Sequence, residues 1–191
     1  MMVGLKMEKR IATKIICQTS LQAYFLDRLV EINQKSVKPL VPEVLLYSSQ
    51  VLDTFSDPQN IFEVYEGKKT VKILGLKLLE SEKFPRNKRK KTLMDIGDTA
   101  LFICGFFHES LNRKLFQIRY YHDLGKRAYN KLDCISPKSH KMPSIFGLMA
   151  YSFDNITDMI TILSKTPCTS DDEITGTISY MINDKNKLKA S

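Results

Sequence analysis

The sequence is poor in the residues that announce chemistry. It holds three histidines and four cysteines in 191 residues. His108, His122 and His140 show no His-x-x-x-His or Glu-x-x-His spacing, so the helical two-metal signature is missing. Cys17, Cys104, Cys134 and Cys168 form no Cys-x-x-Cys pair, and their gaps are too wide and irregular for a zinc knuckle. No metal or other cofactor is therefore expected. There is no Gly-x-Ser-x-Gly elbow for a serine nucleophile. Gly67 and Gly75 are isolated, and no Gly-Lys-Ser/Thr ending marks a phosphate loop. No apolar run approaches the ~20 residues that a membrane-spanning helix needs. Charges interrupt every apolar run near the start, so no secretory signal is read. Gly4 is not adjacent to Met1, which excludes the myristoylation pattern. These absences suggest a reduced, cytoplasmic setting, with a pair of disulfides left as the alternative.

What is present is an ordinary globular composition. The hydrophobic fraction of 43% excludes wholesale disorder. The length suits one domain with one core. The net charge of +8 is unevenly placed: Lys83, Arg86, Lys88, Arg89, Lys90 and Lys91 fall within nine residues that hold no acid, leaving +2 for the rest. This stretch, 83–91, is the candidate anion-binding element. It suits nucleic-acid phosphate, an anionic membrane or an acidic partner, and equally a solvated linker. Arg113, Lys114, Arg119, Lys126 and Arg127 are additional cations, but no helix-turn-helix, zinc-finger or RNA-recognition signature accompanies them.

Periodicity is helical almost throughout. Residues 1–19 are expected to be a flexible arm, followed by a helical domain over 20–191 with a basic linker at 83–91. Ser20 can cap a helix carrying Leu21, Tyr24, Phe25, Arg28, Leu29 and Ile32 at three- and four-residue steps. Pro42 suits the first turn of a second helix, to about Phe55. Ile61 to Tyr65 is ambiguous between helix and strand, and Glu66 to Lys69 is a turn. Further helices are expected over about Val71 to Lys83, Thr92 to Leu111, Ile118 to Leu132 and Ser144 to Lys165. A final helix follows, with Asp171-Asp172-Glu173 at its start and Ile174, Ile178, Met181 and Ile182 as its stripe. The expected fold is all-α: a single-domain irregular or orthogonal bundle of about six or seven helices.

One block stands apart. Gly97, Asp98, Gly105, Phe106 and Phe107 lie on the most apolar helix; Tyr120, Tyr121, Gly125 and Tyr129 lie on the next. A glycine inside a helix costs about 1 kcal/mol relative to alanine. Close backbone approach is the usual compensation. The two helices are expected to cross at Gly97, Gly105, Gly125 and Ala128, flanked by the aromatic residues. Asp98 on an apolar helix must be paired if buried, with Tyr120, Tyr121, Tyr129, Arg113 and Arg119 as candidate partners. It suits a polar anchor that fixes helix register, or a general base in a small-ligand site.

The pattern Gly-Asp-x-x-Leu-Phe-x-x-Gly-Phe-Phe over residues 97–107, with Glu109-Ser110-Leu111, Tyr120-Tyr121, Gly125 and Ala128-Tyr129, resembles a small uncharacterised family of bacterial all-helical proteins of similar length. The likeness is clearest from Met94 to Leu132. It implies a mainly helical bacterial protein and no assigned activity. The family pattern carries a proline or small residue at His108 and an aliphatic one at His122, which speaks against a histidine-based site. The expected function is a non-enzymatic cytoplasmic protein that works through contact with an unidentified protein partner, as a regulatory or adaptor module. Its contact surfaces would be the basic stretch and any exposed aromatic residue of Phe102 to Phe107. The alternatives are a nucleic-acid-associated protein using residues 83–91, and a ligand binder or enzyme built around Asp98 and the tyrosines.

Overall fold

The computed structural model describes residues 20–57, 60, 62–65, 68–71, 73–108, 115–137 and 144–165. The N-terminal arm, the Glu109-Ser110-Leu111 element and the final helix after Asp171 lie outside the described residues. Helix α1 (Leu21–Gln34) starts where Ser20 Oγ accepts the Ala23 amide at 3.2 Å, and it buries Phe25 and Leu29. Asn33 then brackets Leu40. Its Nδ2 donates to the Leu40 carbonyl at 3.0 Å, and its Oδ1 accepts the Leu40 amide at 2.7 Å. This clamp delivers the chain to α2 (Pro42–Ser56), where Pro42 takes the first turn. Helix α2 buries Val44, Leu45, Val51, Leu52 and Phe55, as its periodicity predicts.

A short hairpin follows. Strands β1 (Phe62–Tyr65) and β2 (Lys68–Val71) pair antiparallel, with Phe62 opposite Val71 and Tyr65 opposite Lys68. The ambiguous segment is thus a strand, and Val71 belongs to β2. Helix α3 (Leu74–Ser81) begins after it, with Leu74, Leu78 and Ser81 buried.

Helix α4 (Arg86–Phe106) absorbs most of the basic stretch, so residues 86–91 are helix and not linker. Cations at a helix start oppose the helix dipole. Here they find local partners. Arg86 donates to the Ile135 carbonyl at 2.8 Å, and Arg89 pairs with Glu82 at 2.6 Å. Further along α4 every residue from Thr99 to Gly105 is buried. Only the centre of a bundle can take a helix that is apolar all round.

Helix α5 (Leu115–Ile135) lies along α4. Leu124, Gly125, Ala128, Tyr129 and Leu132 are buried. A Cβ on Gly97 would sit 2.7 Å from Tyr129 Cε1. A Cβ on Gly125 would sit 3.1 Å from the Ala100 Cβ and would collide with the Phe153 ring. Two of the three glycines therefore face the α4–α5 crossing. Gly105 does not: its open side is filled by Ile160.

The long helix expected over Ser144 to Lys165 is two helices, α6 (Ile145–Tyr151) and α7 (Phe153–Lys165). The apolar period runs through unbroken, which hides the kink at Ser152. The ladder persists around it: the Ser152 amide reaches the Leu148 carbonyl, and the Ile156 amide reaches the Ser152 carbonyl, each at 2.9 Å. Phe153 lies against Gly125 and Ile160 against Gly105. One continuous cluster of buried side chains draws on all seven helices among the described residues. The fold is all-α, with the hairpin as its one departure there.

The Gly125 contact gives a direct test of the packing. Gly125→Leu forces a side chain into the fully buried Phe153 ring and is expected to cost about 3 kcal/mol. The melting temperature should fall by roughly 6–12 °C. A fall below ~2 °C would contradict the close approach.

Candidate functional site

Gly97 and Asp98 are neighbours in sequence with complementary tasks. The glycine leaves room for the Tyr129 ring, and the carboxylate receives its hydroxyl. Tyr129 Oη donates to Asp98 Oδ1 at 2.7 Å, and Tyr47 Oη donates to the same oxygen at 2.9 Å. Tyr129 is fully buried, while Asp98 and Tyr47 are half-buried. The rings are caged by aromatic neighbours. Tyr47 meets Tyr129 edge-on at 6.2 Å and Phe146 edge-on at 6.0 Å. Phe146 also stacks on Tyr129 at 6.5 Å. Burial, reinforced by the Asp98 charge, pushes both hydroxyls well above the ordinary tyrosine value. Two hydroxyl donors occupy Oδ1, so that oxygen is committed to the fold and poorly placed to take a substrate proton.

Tyr129 was among the partners expected for Asp98, but Tyr47 was not named from sequence. It lies 51 residues away on α2. Its one legible signal is its place on that helix beside buried Val44, Ser48 and Val51. Tyr120 and Tyr121 form a pair of their own, edge-on at 5.5 Å. Tyr120 is half exposed, and its hydroxyl lies over Gly75 of α3. Arg119 is exposed, and Arg113 lies outside the described residues. Phe106 and Phe107 fold back on Phe102, with centroids 5.0 and 5.7 Å away. Phe102 in turn stacks on Phe55 at 5.2 Å. The aromatic run expected as a contact surface is therefore packed against the core.

The basic stretch is partly consumed by its own surroundings. Besides Arg86 and Arg89, Lys88 Nζ lies 3.9 Å from the centre of the Phe84 ring, and Lys90 Nζ lies 6.0 Å from that of Phe146. Lys83 and Lys91 are exposed and make no ion pair among the described residues. Lys131 of α5 also reaches Glu82, so one carboxylate gathers two cations at this end of the bundle.

Elsewhere the reactive side chains are dispersed. Cys104 is buried, and burial with the added Asp154 charge pushes its thiol up, which keeps it protonated at neutral pH. Cys134 is exposed. His122 Nδ1 lies 3.0 Å from Asp154 Oδ1, and Lys126 donates to Asp154 Oδ2 at 2.6 Å. Partial burial raises the Asp154 carboxyl, but the hydrogen bonds and charges of Lys126 and His122 outweigh it and hold the group below its usual value. This exposed cluster ties α5 to α7 and was not foreseen. Among the described residues no group of three or more His, Cys, Asp or Glu side chains is placed to hold a metal ion. No helix there is long and apolar enough to cross a membrane. No family model, curated protein or solved structure matches the chain.

The two raised tyrosines set an alkaline limit on stability. Above the ordinary tyrosine pKa of ~10 the unfolded chain releases protons that the folded chain keeps, so stability falls as pH rises. The contribution is fully present below that value. The urea midpoint is expected to drop between about pH 10 and 12, and a Tyr47→Phe, Tyr129→Phe variant should drop less steeply. Equal slopes would contradict the assignment.

Proposed function

We propose that this protein is a non-enzymatic binding module, working through protein–protein contact as a regulatory or adaptor component of the cytoplasm. We group it with the bacterial helical family whose pattern it resembles. The observation that supports this reading is the outer row of α3. Ile73, Leu76 and Leu79 are 67%, 52% and 70% exposed, while Leu74 and Leu78 on the opposite side are buried. Three large aliphatic side chains in one exposed row suggest a covered surface. Lys83 follows the row and Lys91 lies on the first turns of the next helix; both are exposed and make no ion pair among the described residues. The partner that fits is an acidic amphipathic segment of another protein, with apolar side chains on the row and carboxylates toward the cations.

The nucleic-acid reading has less support, because four of the six clustered cations are engaged by the protein's own groups. A catalytic Asp98 has less support for the reason given above. The test is cross-linking of the full chain in its native cell, comparing wild type with Leu76→Asp, Leu79→Asp. Surface substitutions of this kind change stability by about 0.5 kcal/mol or less, so melting should be nearly unchanged. Wild type should capture a protein partner that survives nuclease treatment, and the variant should lose it. Equal capture by both, or loss on nuclease treatment, would refute the reading.

A further inference from the structure

Helices α3 and α5 lie side by side and are tied at two points. The Tyr120 hydroxyl of α5 lies over Gly75 near the start of α3, and Lys131 of α5 reaches Glu82 just past the end of α3. Early meets early and late meets late, so the two helices run in the same direction. Tyr120, Arg127 and Lys131 fall within about 40° of one line along α5. Gly75, Leu79 and Glu82 fall within about 60° of one line along α3. Arg127 and Leu79 therefore face the same seam, between its two ties. Both are exposed. Arg127 makes no ion pair among the described residues.

We infer that the apolar row of α3 and this face of α5 form the two sides of one groove, and that Arg127 is the residue that selects an acidic partner helix there. The inference rests on the docking reading above and adds to it a second wall and a charged contact. The seam is positive with its carboxylates counted. Lys83, Arg89, Arg127 and Lys131 stand against Glu82 and Asp123. Lys77 and Asp95 pair with each other at 3.4 Å. Glu80 points away, about 140° round α3 from Gly75. Glu82 already serves Arg89 and Lys131, which leaves Arg127 as the cation free to meet a carboxylate between the ties. A guanidinium takes a carboxylate in a two-pronged fork, which gives direction as well as charge. The occupant that fits is an amphipathic helix of another protein, laid along the seam with its apolar stripe on Leu76 and Leu79 and a carboxylate on its flank at Arg127.

The test uses the photoreactive residue p-benzoylphenylalanine in the full chain in its native cell. It is placed at Leu79 on α3, at the exposed Asn130 one turn beyond Arg127 on α5, and at the exposed Val37 as a control. Leu79 and Asn130 should cross-link to one segment of one protein, that segment should contain Asp or Glu, and Val37 should not reach it. Arg127→Glu should lower the yield from Leu79 at least about tenfold, because like charges across an interface are strongly disfavoured. Arg127→Lys should retain part of it. Melting of both variants should stay within ~2 °C of wild type. Capture from Leu79 but not from Asn130, or an unchanged yield with Arg127→Glu, would overturn the groove and leave the α3 row standing. No capture from Leu79 would overturn both. A cross-linked segment without acidic residues, a second copy of this chain, or nucleic acid in place of a protein would each overturn the inference.

Discussion

The hydroxyl of a buried tyrosine is the constraint around which this bundle is arranged. Tyr129 contributes a large ring to the centre, and its hydroxyl must be satisfied there. Asp98 satisfies it, and Gly97 makes the approach sterically feasible. Because Asp98 also receives Tyr47, the same oxygen joins α2, α4 and α5. A register slip of α5 along α4 would push the Tyr129 ring into a helix backbone and strand its buried hydroxyl. A hydrogen bond to a carboxylate adds about 1.5–3 kcal/mol net, and a slip would forfeit it and leave both the buried donor and the charge unsatisfied besides. The anchor therefore specifies the arrangement more strongly than it stabilises it.

The rest of the architecture follows from where small residues admit large ones. Gly125 admits Phe153, and Gly105 admits Ile160. These two notches, separated along neighbouring helices, fix the course of α7, and the bend at Ser152 delivers it to both. Phe153 in turn packs against Tyr129 at 6.1 Å, which links the notches back to the anchor. The basic start of α4 is tolerated because Arg86 meets the carbonyl end of α5, where the helix dipole is negative.

Local signals made the helices legible. Ser20, Pro42 and the apolar stripes of α1 and α2 lie where periodicity puts them. The run from Thr99 to Gly105 is buried because its sequence leaves no polar face. Gly97 and Gly125 were identifiable as crossing points, since interior helix glycines need a compensating contact. The partner of Gly105 was not identifiable, because sequence gives the need for a close neighbour and not which helix supplies it. Tyr47 was missed for the same reason: a contact across 51 positions leaves no periodic trace. The basic stretch looked like a linker because its stabilising partners, Glu82 and the end of α5, are supplied by other elements. The exposed row on α3 was hidden inside a pattern that looked like an ordinary apolar helix, whose two faces became distinguishable once α4 was seen to cover one of them.

Asp98 and Tyr129 act as one unit. A double-mutant cycle by urea unfolding tests it, using Asp98→Ala, Tyr129→Phe and the pair. The coupling is expected to be at least ~1 kcal/mol, with Asp98→Ala much less damaging once the Tyr129 hydroxyl is gone. Additivity within ~0.5 kcal/mol would contradict it.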